Sequence, residues 1–211
     1  MRVADLFIPL GVIVLIAAAS WVAFDFGYSA VPASRTVEFT AAAVGGNGRG
    51  LMVPFRLSIT PGSGRLLVDV GSVSFKEDTE RSLRKARAAA EKYLGVSLGG
   101  ADIALSFEAG EKVVAGESAG MAFAVAISSA WSGRPLRGDV ALSAALTDDG
   151  NVSPVDGIEE KIIAARESDK SVFLVASGQP IKQEKELEAA TGMRIVRVGG
   201  LDEAMEYALG Q

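Results

Sequence analysis

The segment from Ser118 to Trp131 is apolar on almost every side of a helix, and Gly133 and Pro135 close it. A helix without a polar face has no stable place at a surface, so the rest of the fold must be built around it as the central buried element. At 211 residues, 49% of them hydrophobic, the chain supplies one full core for that purpose and not two large ones. One globular domain plus an anchor is expected.

The anchor is read over Leu6 to Phe24, which carries no charged side chain. As a helix it spans about 28 Å, close to the ~30 Å of hydrocarbon in a bilayer. Trp21, Phe24, Phe26 and Tyr28 gather at its far end, where amphipathic rings settle at the lipid–water boundary. The rival is a cleaved signal peptide, with Leu6 to Ile16 as its apolar region and Ala17-Ala18-Ala19 as small residues for cleavage. Arg2 is the positive residue on the N-terminal side, partly offset by Asp5, and the positive-inside tendency then puts the N-terminus in the cytoplasm and the domain outside. The expected organisation is an anchor over 1–28, a linker over 29–36 and the folded domain over 37–211. The expected location is the cell membrane, single-pass, with an extracytoplasmic domain.

Val37 to Val44, Leu51 to Thr60 and Arg65 to Val70 read as strands, the last two joined as a hairpin by Pro61-Gly62-Ser63-Gly64. Asp78 to Leu94 reads as a helix capped by Asp78, with Arg81, Arg84, Lys85 and Arg87 forming a solvated face among acidic residues. Ile103 to Phe107 is a strand. After the apolar helix come strands at Val140 to Leu146 and Val152 to Val155, joined through the turn Asp148-Asp149-Gly150. Helices and strands then alternate: Ile158 to Glu167, Val172 to Val175, Lys182 to Thr191, Ile195 to Val198, Leu201 to Leu209. An antiparallel section followed by alternation predicts an α+β fold with parallel pairing late in the chain.

The sequence contains no His and no Cys. A Ser-His-Asp triad, a thiolate nucleophile, a disulfide and a thiolate metal site are therefore excluded, and no metal or cofactor is expected. A net charge of -5 argues against nucleic acid as a partner. What remains for hydrolysis is a serine paired with a lysine kept neutral by burial. Ser118 lies in Gly116-Glu117-Ser118-Ala119-Gly120, where the glycines permit a tight backbone path and helix N-terminal amides favour an oxyanion. The plainer alternative is a helix cap. Lys161 shares a helix face with Ile158, Ile162 and Ala165, and Asp156 and Glu159 form a D-x-x-E capping pattern that starts that helix. Its plainer alternative is a lysine that buries its methylenes and keeps its ammonium in water.

Three blocks now stand in order: Gly116-Glu117-Ser118-Ala119-Gly120-Met121-Ala122, then Gly133-Arg134-Pro135 through Asp139-Val140-Ala141-Leu142, then Gly150-Asn151-Val152-Ser153-Pro154 through Gly157-Ile158-Glu159-Glu160-Lys161. Together they resemble the proteolytic domain of Lon-type serine peptidases. The resemblance implies an α+β Lon proteolytic-domain-like fold and a dyad in which Ser118 is the nucleophile and Lys161 the base. It further implies that Ser143, at the position of a family threonine, helps to hold the lysine, and that members assemble into homo-oligomeric rings. The corresponding geometry places Lys161 Nζ within ~3 Å of Ser118 Oγ. The sequence departs from the family pattern at Ala115, Glu117, Ala144, Ala145 and Asp156, and an acid beside the nucleophile would raise the Lys161 pKa. No G-x-x-x-x-G-K-[ST] segment is present, so no ATPase is expected within these residues and ATP-driven unfolding falls to a separate unfoldase, if one is used.

The expected function is a membrane-anchored serine endopeptidase acting on unfolded or flexible polypeptide. Two other classes stay open: a non-catalytic peptide-binding module of the same fold, and a small-molecule phosphotransferase that cradles phosphate on the glycine-flanked helix start.

Overall fold

The computed structural model describes residues 31–69, 77–107 and 116–210. In chain order the elements are β1 (Arg35–Val44), β2 (Gly50–Pro61), β3 (Leu66–Asp69), α1 (Glu77–Leu94), β4 (Ala101–Phe107), a 3-10 turn (Glu117–Ala119) and α2 (Gly120–Ser132). Then follow β5 (Val140–Ser143), β6 (Ala145–Leu146), β7 (Val152–Ser153), α3 (Ile158–Glu167), β8 (Val172–Ala176), α4 (Glu184–Thr191), β9 (Arg194–Val198) and α5 (Leu201–Ala208). The expected anchor over Leu6–Phe24 lies outside the described residues; among the described residues no helix is long and apolar enough to cross a membrane.

β1 and β2 form an antiparallel hairpin, and β2 alternates strictly, burying Val53, Phe55, Leu57 and Ile59. The four-stranded sheet runs β1-β2-β4-β3, with β3 parallel to β4. This corrects the hairpin expected between β2 and β3. The glycine-rich turn after Pro61 does not fold back on its own strand. It winds around the start of β4, where the Asp102 carboxylate accepts the backbone N–H groups of Ser63 and Arg65, each at 2.9 Å, and the Arg65 guanidinium. Those charge-assisted bonds hold the Asp102 carboxyl well below the usual carboxylate range and fix β3 on the far side of β4.

The late strands behave as expected of an α+β chain: β5, β8 and β9 form a parallel sheet in that order. All five residues of β8 are buried, which is why it reads as a continuous apolar run rather than an alternation. The strand expected over Val140 to Leu146 is interrupted. Ala144 turns out of it so that its carbonyl accepts the Met121 N–H at 3.2 Å, and β6 leaves to pair with β7.

Every residue of α2 from Gly120 to Trp131 is buried. One side meets the four-stranded sheet, where Phe123 sets its ring edge to face against Phe55 at 5.3 Å and Phe39 does the same at 6.2 Å. The other side receives Leu83, Ala86 and Ala90 of α1, residues spaced to share one helix face. α1 includes Asp78, which pairs with Arg81 at 3.0 Å within the helix instead of capping it. Three more of its cations are paired: Arg84 with Glu80, Lys85 with Asp148 and Arg87 with Glu91. At the far end of α2, the Arg35 guanidinium donates to the Trp131 carbonyl at 2.7 Å, so the first strand caps the central helix.

Phe123 is fully buried, its ring edge to face against Phe55, the hub of the aromatic cluster. Phe123→Ala should cost about 3–5 kcal/mol. In urea denaturation this appears as a lower midpoint with an unchanged slope.

Candidate active site

Lys161 owes its position to two close backbone contacts. α3 begins after Gly157, whose backbone is left-handed at φ 65 and where a Cβ would stand 2.5 Å from a Val44 methyl of β1. Gly50, the first residue of β2, has a virtual Cβ only 1.9 Å from the Glu160 carbonyl oxygen, so any side chain there would push α3 away. The capping pattern expected from Asp156 and Glu159 is not formed. The helix has no side-chain cap; Glu159 Oε1 instead accepts the Lys182 N–H at 2.9 Å, because the left-handed turn at Gly157 takes Asp156 out of capping position.

One turn into α3, Lys161 is only 3% exposed. Among the described residues no carboxylate forms a hydrogen bond or ion pair with it; Nζ donates to the Ser143 hydroxyl at 3.2 Å. Burial without a paired charge lowers its pKa to about 8, against an opposing pull from Asp156 and Glu160. The lysine is therefore buried to its tip and does not extend its ammonium into water. Ser143, fully buried at the end of β5, in turn reaches the Ser118 carbonyl oxygen at 3.5 Å.

Ser118 is half-buried in the 3-10 turn, and α2 starts two residues later with Ala119 as its cap residue and no side-chain cap. Its hydroxyl therefore does not serve as the helix cap. Within the described residues Lys161 Nζ bonds to Ser143 rather than to Ser118 Oγ, so the direct contact of ~3 Å expected from sequence is replaced by a path through Ser143 and the Ser118 backbone. Gly120 allows α2 to start against Leu146 of β6 and the Ser82 hydroxyl. Gly116 is extended, with open space where a side chain would be, so the tight path expected there is not needed. Ala119 is buried behind the turn. Glu117 points to Arg81 of α1 at 3.6 Å, and the charges that act on Lys161 are Asp156 and Glu160, not Glu117.

A serine on a 3-10 turn, a buried amine and a hydroxyl between them make up the site. Residues 36–211 match the model of the Lon protease (S16) C-terminal proteolytic domain. The chain belongs to this family. It is 30% identical over 169 residues to a Lon protease of Lachnoclostridium phytofermentans, an alignment covering 76% of this chain and 20% of that protein. It is 35% identical over 158 residues to Lon protease 1 of Sorangium cellulosum (72% and 19%), and 32% identical over 161 residues to the peroxisomal Lon protease homolog 2 of Homo sapiens (70% and 18%). The chain thus spans about a fifth of the length of these relatives.

Where this Lon-type domain departs from the family pattern, the structure supplies local reasons. Ala144 and Ala145 are buried at the break between β5 and β6, where a polar side chain would need a partner. Asp156 lies beside the amine and favours its charged form. Ala115 falls outside the described residues.

One residue near the site carries no sequence signal. Gln179, buried after β8, uses its side-chain amide as a surrogate peptide: Oε1 accepts the Val155 N–H at 2.8 Å and Nε2 donates to the Val155 carbonyl at 2.9 Å. This clamps the segment leading into Gly157 and α3. A glutamine flanked by Gly and Pro reads as loop, and only the tertiary contact shows its work.

Two stability measurements follow. Gln179→Ala should lose both bonds and lower stability by about 1–3 kcal/mol, with Gln179→Glu intermediate because it keeps the acceptor alone. For Lys161, folding lowers the pKa from 10.5 to about 8, so the folded state disfavours the charged amine. That penalty is full below pH 8, shrinks as pH rises through the interval up to 10.5, and is absent above it. Lys161→Met should therefore stabilise the chain at neutral pH by on the order of 3 kcal/mol, a gain that disappears at strongly alkaline pH in paired denaturation curves.

Proposed function

We propose that this chain is a serine endopeptidase in which Ser118 is the nucleophile, Lys161 the general base and Ser143 the residue that holds the base. As Ser118 Oγ bonds to a peptide carbonyl carbon, its proton passes to Lys161 Nζ. The same proton then goes to the departing amine as the C–N bond breaks, leaving an ester on Ser118. Water attacks that ester, giving one proton to Nζ, which returns it to Oγ as the acid product leaves.

The observation that carries this reading is the buried amine with a hydroxyl as its hydrogen-bond partner and a pKa lowered to about 8. An exposed lysine, charged at neutral pH, has no lone pair to accept the proton. The link from Lys161 through Ser143 to the Ser118 backbone ties the two elements of the site together while leaving the Ser118 hydroxyl for substrate.

Around this chemistry we place an unfolded or flexible polypeptide as the substrate, because these residues include no phosphate-loop motif and thus no local source of ATP-driven unfolding. The apolar run over Leu6–Phe24 supports membrane attachment with the domain outside the cytoplasm, and family membership supports a homo-oligomeric ring.

A second reading, a peptide-binding module without turnover, is favoured by one observation: the amine is bonded to Ser143 and not to Ser118 Oγ. Casein or quenched-peptide turnover by the full chain separates the two. Ser118→Ala and Lys161→Ala should each reduce turnover to background, and the parent rate should rise with pH through about 8 as the amine loses its proton. Turnover in either variant equal to that of the parent rejects the dyad. Peptide binding without any turnover in the parent establishes the module.

A further inference from the structure

Lys161 is carried by a helix whose start has no side-chain cap, so other contacts must fix where that start lies. On one side the β1–β2 hairpin does so sterically, with Val44 against Gly157 and Gly50 against the Glu160 carbonyl. Those contacts set how closely α3 can approach the sheet. Holding it at that limit takes directional bonds from another side.

The bonds come from the loop over 177–183, between β8 and α4. It meets the chain entering α3 at two points, one on either side of Gly157. Gln179, buried, exchanges hydrogen bonds of 2.8 and 2.9 Å with the Val155 backbone, and its side-chain amide also donates to the Pro180 carbonyl at 3.2 Å. With acceptor and donors all engaged, the side chain is fixed in one orientation. The second point is the Lys182 N–H, which donates to Glu159 Oε1 at 2.9 Å. Elsewhere a cleft of about 270 Å³ separates the two segments, so they are joined at discrete points.

Arg197 of β9 holds the loop in turn. Its Nη1 donates to the Ser177 carbonyl at 3.1 Å and to the Gln179 carbonyl at 2.7 Å, and its Nη2 pairs with Glu184 at the start of α4. Gln179 is thus gripped by its backbone from the parallel sheet and grips Val155 with its side chain. A line of bonds runs from β9 through Arg197 and Gln179 to the residue from which the chain turns into α3.

We infer that Gln179 and Glu159 are positioning residues for the base: they fix the start of α3 and with it the place of Lys161 Nζ opposite Ser143, and Arg197 fixes Gln179. They act through the backbone and not on the reacting atoms. The inference rests on Lys161 being the general base and adds to that reading the loop that holds the base in register.

The test is steady-state turnover of a quenched peptide by the full chain, each rate divided by the folded fraction that circular dichroism gives for the same sample. Gln179→Ala should lower kcat by ~10-fold and leave KM within ~2-fold of the parent, because proton transfer depends on the placement of the amine and substrate binding does not. Arg197→Ala should lower kcat in the same way, and the double variant should be no slower than Gln179→Ala alone, since both act along one path. At the second point Glu159→Ala should lower kcat by ~3-fold or more, and Glu159→Gln, which keeps an acceptor for the Lys182 N–H, should recover most of that loss. An unchanged kcat per folded molecule in Gln179→Ala, or in Glu159→Ala if the first variant does not fold, overturns the positioning role and leaves the dyad intact. A loss that lies wholly in KM does the same. A double variant slowed by the product of the two single losses overturns the link through Arg197. No turnover in the parent, or Lys161→Ala as active as the parent, overturns the dyad and this inference together.

Discussion

Taking an ammonium group out of water without giving it a counter-charge is the constraint on which the rest of this molecule depends. The cost falls on folding, since the unfolded chain keeps the lysine hydrated and charged. The fold bears it by surrounding Lys161 with a well-packed interior: Ile158 and Ile162 on its own helix, Ala42 of β1, and the parallel sheet behind. Among the described residues only a hydroxyl, that of Ser143, hydrogen-bonds the amine. A carboxylate in that place would raise the pKa and keep the amine protonated at neutral pH, so an amine without an ion pair is what the proposed chemistry needs.

The two halves of the site come from different layers. Ser118 is carried by the turn that feeds the central helix, and Lys161 by a helix that lies against the β1–β2 hairpin. Ser143, at the end of β5, stands between them because the strand breaks at the next residue. That break does two things at once. The Ala144 carbonyl secures the first turn of α2, and the change of direction leaves the Ser143 hydroxyl facing the amine rather than another strand.

Much of this was legible in the residues. α2 could be read because a run without a polar face has only one destination, and Lys161 stood out because it occupied the greasy face of its own helix. Three features were misread. Pro61-Gly62-Ser63-Gly64 is a good hairpin turn by local criteria, but its geometry is set by Asp102 on another strand. Asp156 and Glu159 have the spacing of a capping box, yet the contact between Gly157 and Val44 dictates a left-handed start. Gly116 looked necessary because it flanks the serine, and proved to be ordinary extended chain. Gln179 was invisible because its partner is a backbone amide two elements away. Gly116 apart, a distant part of the chain overruled the local pattern in each case, which is information that spacing alone does not hold.

The near-contact between Gly50 and the Glu160 carbonyl joins an early strand to a late helix. Before that junction closes, Lys161 is hydrated and protonated like any surface lysine. On the proposed reading a partly unfolded chain is inert: the lysine's pKa falls only when the folded interior closes around it, so the protein is shielded from its own chemistry for as long as it is itself an unfolded polypeptide.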